Sequence, residues 1–182
     1  MERRAYAAPG SNGASATTWS VEAQEEFARI RDGFGGPFKS ELLAAEGFRD
    51  AFLPFTQKYG FEVGANIVPG QGGLAIQDII LGGTSGVRIP YFEHATASIH
   101  THPLGSGDGF SGTLRVVNGR FDDGGGFGDY PTMARNRISG YVYRAGDGAG
   151  WHFNQPAFHA ALLTAKAAGT STYAEWFTRR LP

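Results

Sequence analysis

Ala95-Thr96-Ala97-Ser98-Ile99-His100-Thr101-His102-Pro103 is the stretch on which the reading of this chain turns. It is a short β-like run, and in an extended segment side chains two apart lie on one face. The imidazoles of His100 and His102 therefore point to the same side. Pro103 has no N–H to donate to a ladder and ends the strand. Two neutral imidazoles converging at a strand end make half of a zinc site. The chain contains no cysteine, so the other half has to come from carboxylates.

Outward from that strand the chain divides by composition. It carries 28 glycines in 182 residues, about twice the usual ~7%, concentrated between Gly60 and Gly150, which predicts tight turns and irregular loops there. Residues 1–18 are rich in Ala, Ser, Gly and Thr and read as a flexible leader joining the domain to something upstream. Ser20 is a helix N-cap signal, and Val21, Phe27, Ile30 and Phe34 form an apolar stripe stopped by Gly35-Gly36-Pro37. A second helix is expected over 40–58, with Leu42, Leu43, Phe48, Phe52 and Phe55 inward and Pro54 kinking or ending it. Strands are expected at 61–68 and 74–81 as an antiparallel hairpin around Pro69-Gly70-Gln71-Gly72-Gly73, then at 87–89 and 95–100.

Residues 104–128 read as mostly irregular, with a small hairpin over 114–121 around Asn118-Gly119. A short helix follows at 131–137. A last hairpin pairs 138–144 with 151–153 around Asp147-Gly148. Residues 156–168 and 171–180 read as helices, with Phe158, Leu162 and Leu163 inward. Tyr130, Tyr141, Tyr143, Trp151 and Phe153 are expected in the core, and His152 and His159 as ordinary surface or partly buried histidines. The fold class is α+β: one domain over 19–182 with a central mixed or antiparallel sheet flanked by helices.

Composition excludes several functions. The hydrophobic fraction of 41% fits one globular domain with a proper core. A formal net charge of −1 gives no basic footprint for nucleic acid. No apolar run approaches the ~20 residues of a membrane span, and the first twenty residues lack the apolar region of a signal peptide.

After Glu93 the remaining glutamate is Glu175, which argues against a cupin-like site with a Glu just after the two histidines. There is no His-Glu-x-x-His, so the helical zinc-protease arrangement is excluded. Two acidic residues remain well placed. Glu62 opens the first central strand in Phe61-Glu62-Val63-Gly64-Ala65, and Asp129 stands in Gly126-Phe127-Gly128-Asp129-Tyr130 at a helix entry. There it reads either as a ligand or as a helix cap. Asp108, Asp122 and Asp123 are the other candidates for a third ligand.

Over about residues 61–153 these features resemble the JAB/MPN (JAMM) metallopeptidase family: a strand Glu (Glu62), a strand ending His100-Thr101-His102-Pro103, and an Asp entering a helix (Asp129). The likeness is greatest to the JAB-like domains of bacterial polymorphic-toxin and Rhs-type effectors. The resemblance implies a cytidine-deaminase-like JAB/MPN architecture and a Zn²⁺ held by His100, His102 and Asp129. It also implies Glu62 as general base and hydrolysis of a peptide or isopeptide bond in a protein substrate. Expected partners are a larger secretion-system protein, by fusion or delivery, and an immunity protein. The expected location is the cytoplasm, or outside it by effector delivery without a signal peptide. The family pattern places a serine eight residues after the second His and the Asp three further on; here those positions are Phe110 and Thr113. An insertion at about 104–128 accounts for this, with Ser111 or Ser106 folding back into the serine's place; Ser111 is taken as the catalytic serine. A non-catalytic relative acting as a binding module is one alternative. Another is a toxin domain with other metal-dependent chemistry, such as a nuclease using Arg135, Arg137 and Arg144.

Overall fold

The computed structural model describes residues 18–90, 93–107 and 109–182. Helix α1 (Val21–Gly33) is capped by Ser20, whose hydroxyl accepts the Ala23 N–H. Helix α2 (Glu41–Tyr59) is capped by Ser40 and closed by Gly60 in the left-handed region. Pro54 lies inside α2 without ending it. Phe52 and Phe55, buried on either side of it, hold the helix together across the missing hydrogen bond.

The strands are β1 (Val63–Gly70), β2 (Gly73–Leu81), β3 (Ala97–His102), β4 (Arg115–Val117), β5 (Arg120–Asp122), β6 (Ser139–Arg144), β7 (Gly150–Phe153), β8 (Thr172–Tyr173) and β9 (Thr178–Arg180). Helix α3 (Asp129–Asn136) precedes β6, and α4 (Gln155–Ala168) follows β7. The central sheet runs β2-β1-β3-β6-β7-β9. Within it β3 and β6 pair in parallel and every other neighbour is antiparallel. A small antiparallel sheet has the order β5-β4-β8. The expected α+β class with a mixed central sheet and flanking helices therefore holds.

Alternation along β1, β3 and β6 sorts the core into two. Val63, Ala65, Ile67, Ala97, Ile99, Tyr141 and Tyr143 pack with Phe48, Phe52 and Phe55 of α2. Thr101 belongs to this side, and its hydroxyl lies 2.6 Å from that of buried Thr56. His100 and His102 alternate with it and so occupy the opposite face. There a second cluster forms from Phe110, Leu114, Tyr130, Met133, Val142, Phe153 and Phe158. Of the five aromatic residues expected in the core, Tyr130, Tyr141, Tyr143 and Phe153 are fully buried and Trp151 packs partly buried against the second cluster.

Several expectations are corrected. Residues 171–180 form β8, a 3₁₀ turn (Ala174–Phe177) and β9 instead of a helix. The edges of β4 and β7 offer ladder partners to this segment, and that pairing overrides its local helical pattern. Val21, Leu43 and Leu163 are exposed at 70%, 47% and 55%, because only one side of each helix meets a neighbour. Residues 87–89 join no ladder and instead lie over β1. The strand of the two histidines is Ala97–His102, so both imidazoles sit on ladder residues. Residues 1–17 of the expected leader over 1–18, and Asp108, lie outside the described residues.

Candidate metal centre

Gly64 pairs with His100, and His100 with Val142, which fixes the histidine strand between β1 and β6. The absence of a side chain at Gly64 gives room for Ile89: a Cβ there would stand 2.7 Å from the Ile89 side chain. Segment 85–90 thereby becomes one wall of a cleft of about 750 Å³, whose floor includes Glu62, Asn66, Ser98, His100 and His102. The opposite wall carries Phe110, Ser111, Gly128 and Asp129.

On that floor the Nε2 atoms of His100 and His102 face each other at 3.0 Å. Ligand atoms of Glu62, His100 and His102 lie within 4.8 Å of one another, and Asp129 Oδ2 is 3.8 Å from His100 Nε2. The Nδ1 of His102 lies 3.3 Å from the Gly107 carbonyl. A proton on Nδ1 donating to that oxygen leaves Nε2 as a lone pair aimed into the cleft, the usual outer support of a metal-ligating imidazole. Two nitrogens bound to one tetrahedral zinc stand about 3.4 Å apart, so an opening of a few tenths of an ångström fits this pair to the ion. The donor set, two imidazoles and carboxylate with no thiolate, suits zinc.

The two carboxylates differ in electrostatic state. Glu62 is 5% exposed. Burial, and then the negative charge of Asp129, push its pKa up to about 8, against the opposing hydrogen bond from the Val87 N–H. Burial also works against ionised Asp129. His100, the Ser111 N–H and hydroxyl, and His102 together outweigh it and hold that pKa below the usual aspartate range. Burial, and next the neighbouring His100, bring His102 down to about 4, so it is neutral at physiological pH.

Ser111 and Asp129 form the other half of the site. The Ser111 N–H and hydroxyl both donate to Asp129 Oδ2 at 2.8 Å, and the Tyr130 N–H donates to the Ser111 carbonyl. Asp129 is the first residue of α3, not its cap; Gly128 occupies the cap position and no side chain caps the helix. Gly112 and Gly128 lie in direct contact, and a Cβ on Gly128 would stand 2.7 Å from the Gly112 Cα. Residues 113–127 thus leave the site and return to it through one narrow neck. Without them the chain at this point would read Ser-Gly-Gly-Asp. The excursion therefore begins after Ser111. Residues before it belong to the site wall, with Phe110 buried against His100 at 6.3 Å between ring centres.

Of the candidate residues, Glu62, His100, His102, Ser111 and Asp129 come together. Asp122 instead pairs with Arg115 and accepts the Gly124 N–H, and Asp123 accepts the Gly125 N–H. Ser106 lines the cleft. Arg135 donates to the Gly126 carbonyl, and Arg144 is paired with Asp147. The ion pair with Asp147 leaves Arg144 largely neutralised in any shared basic patch.

The sequence reading missed three contributors. The Val87 N–H favours the ionised form of Glu62, and the Gly107 carbonyl holds His102. Buried Asn66 donates to the Pro90 carbonyl at 2.9 Å and so ties down the 85–90 wall. Only Asn66 left a trace in the sequence, as an amide in an otherwise apolar strand. Backbone groups leave none. Among the described residues no helix is long and apolar enough to cross a membrane. Comparison with protein-family profiles, with curated proteins and with solved structures finds no match.

Proposed function

We propose that the cleft is the active site of a zinc-dependent hydrolase of amide bonds, of the JAB/MPN type, acting on a peptide or isopeptide linkage. The observation that supports this most is the divergence of the two carboxylates beside a converging pair of imidazoles. A pair of acids whose environments push their pKa values apart takes two different roles. Asp129, held ionised, is the third ligand with His100 and His102. Glu62, with a pKa near 8, is poised to take up and release a proton near neutral pH.

Zinc bound there would polarise the scissile carbonyl and lower the pKa of a water to ~7. Glu62 takes the proton of the attacking water and returns it to the leaving amine. The Gly107 carbonyl keeps Nε2 of His102 unprotonated. Ser111 positions Asp129, since its N–H and its hydroxyl both serve the same carboxylate oxygen. On this reading the Ser-x-x-Asp spacing that the resemblance calls for is met in space, across the neck between Gly112 and Gly128.

The test is hydrolysis of quenched fluorogenic peptides and of an ε-linked isopeptide by zinc-loaded protein. The expected result is turnover abolished by a chelator, restored by zinc, and absent in Glu62→Gln protein that still carries zinc. Equal turnover in Glu62→Gln, or turnover indifferent to the chelator, contradicts the reading.

A further inference from the structure

Two hydroxyls lie on the side of the sheet that Phe52, Phe55, Val63 and Tyr143 otherwise make apolar. Thr56 of α2 and Thr101 of β3 are both fully buried, with their oxygens 2.6 Å apart. A valine at either place would have nearly the same shape and no polar group to withdraw from water. What Thr101 does with its oxygen is specific. The register of β1 against β3 runs from Ile67 opposite Ala97 to Gly64 opposite His100 and stops there. One step further would set Val63 against Thr101, yet the Val63 N–H donates to Thr101 Oγ1 at 3.0 Å. A side-chain oxygen takes the place of a ladder carbonyl where the two strands part.

That N–H belongs to the same planar peptide unit as the Glu62 carbonyl. The Gly82 N–H donates to this carbonyl at 2.8 Å, and the Glu62 N–H donates to the Gly83 carbonyl at 2.8 Å. The peptide that follows Glu62 is therefore held at both ends, by the turn after β2 and by a hydroxyl standing between the two histidines. Fixing that plane fixes the direction in which the Glu62 side chain leaves the backbone. We propose that Thr101 is a positioning residue of the metal centre. Its hydroxyl ties the Glu62–Val63 peptide to the histidine strand and so keeps the Glu62 carboxylate beside the metal but outside its ligand set. Without the hydroxyl the peptide is free to turn, and a carboxylate close to a dication is drawn onto it. This rests on the zinc-centre reading above.

The experiment uses the full chain, stripped by a chelator and saturated with Co²⁺, whose visible d–d bands report the number and type of ligands. Thr101→Val and Thr101→Ala remove the hydroxyl, the first keeping the shape and the second making no steric demand. Thr101→Ser keeps the hydroxyl. Each is made with Glu62 intact and with Glu62→Gln, and each is first shown to have wild-type helix and strand content by circular dichroism. The expected result is a loss of cobalt band intensity, the mark of an added ligand, in Thr101→Val and Thr101→Ala, with wild-type bands in Thr101→Ser. In the Glu62→Gln background the same three variants should match their parent, since the effect runs through Glu62. Unchanged bands in both hydroxyl-free variants, or an equal change with Glu62→Gln, overturn the proposal. A wild type that takes up no cobalt removes the metal centre and the proposal with it. Cobalt uptake without peptide hydrolysis by the zinc-loaded wild type would count against the hydrolase reading and not against the role of Thr101.

Discussion

Ser111 gives both its N–H and its hydroxyl to one oxygen of Asp129, at 2.8 Å each, across 18 residues of chain. A carboxylate oxygen that accepts two such bonds is fixed in direction as well as in charge. Ser111→Ala removes the hydroxyl and leaves the N–H. The expected effect is a loss of zinc affinity of about tenfold, the lower end for a supporting group of a metal ligand. Competition with a chromophoric chelator measures it. Unchanged affinity would show that Asp129 does not depend on the serine.

The division of labour between the carboxylates predicts unequal variants. Asp129→Asn should lower zinc affinity by 10²-fold or more, on the order expected for a lost ligand, and Glu62→Gln should leave it within a few-fold. Isothermal titration of chelator-stripped protein compares the two. The reverse order would make Glu62 the ligand and Asp129 the outer group.

The neck between Gly112 and Gly128 predicts a backbone effect. At Gly128, where φ is +100°, a side chain meets Gly112 at 2.7 Å. Gly128→Ala is therefore expected to cost about 2 kcal/mol and to weaken zinc binding by parting Ser111 from Asp129. Gly33→Ala, where nothing lies within 4 Å of the new Cβ, is the control and should be neutral or slightly stabilising. Urea unfolding with and without zinc separates the two effects.

Metal-free protein should show a pH dependence that belongs to Glu62. The folded-state pKa of Glu62 is raised to about 8, so the folded state holds a proton that the unfolded chain has released. Stability from this group is full below about 4.5 and is lost as pH rises towards 8. His102, depressed to about 4, acts oppositely, adding stability as pH rises from about 4 to 6.5. The two oppose each other up to about 6.5, and above that Glu62 acts without His102. Chelated wild type should lose about 2 kcal/mol between pH 6.5 and 8, and Glu62→Gln should lose much less. A flat profile for the wild type would place Glu62 in contact with water.

Much of this was legible in the sequence for physical reasons. Strand alternation put His100 and His102 on one face, and the Ser20 cap and the glycine turns marked the elements between Trp19 and Leu81. The rest depended on contacts distant in sequence, and Ser111 and Asp129 were paired only through the family resemblance. Ser111 and Asp129 meet only because residues 113–127 fold away, with Leu114 and Val116 buried and β4 paired to β8. The same pairing turned 171–180 from an expected helix into strands. The Val87 N–H and the Gly107 carbonyl belong to no residue type and could not be foreseen.

The metal content of the purified full chain tests the zinc centre most directly. Protein from zinc-supplemented medium, desalted and measured by inductively coupled plasma mass spectrometry, should carry about one zinc per chain. His102→Ala, at the same helix and strand content by circular dichroism, should carry only background. Wild-type protein without zinc, or a His102→Ala variant that retains it, would contradict the central claim.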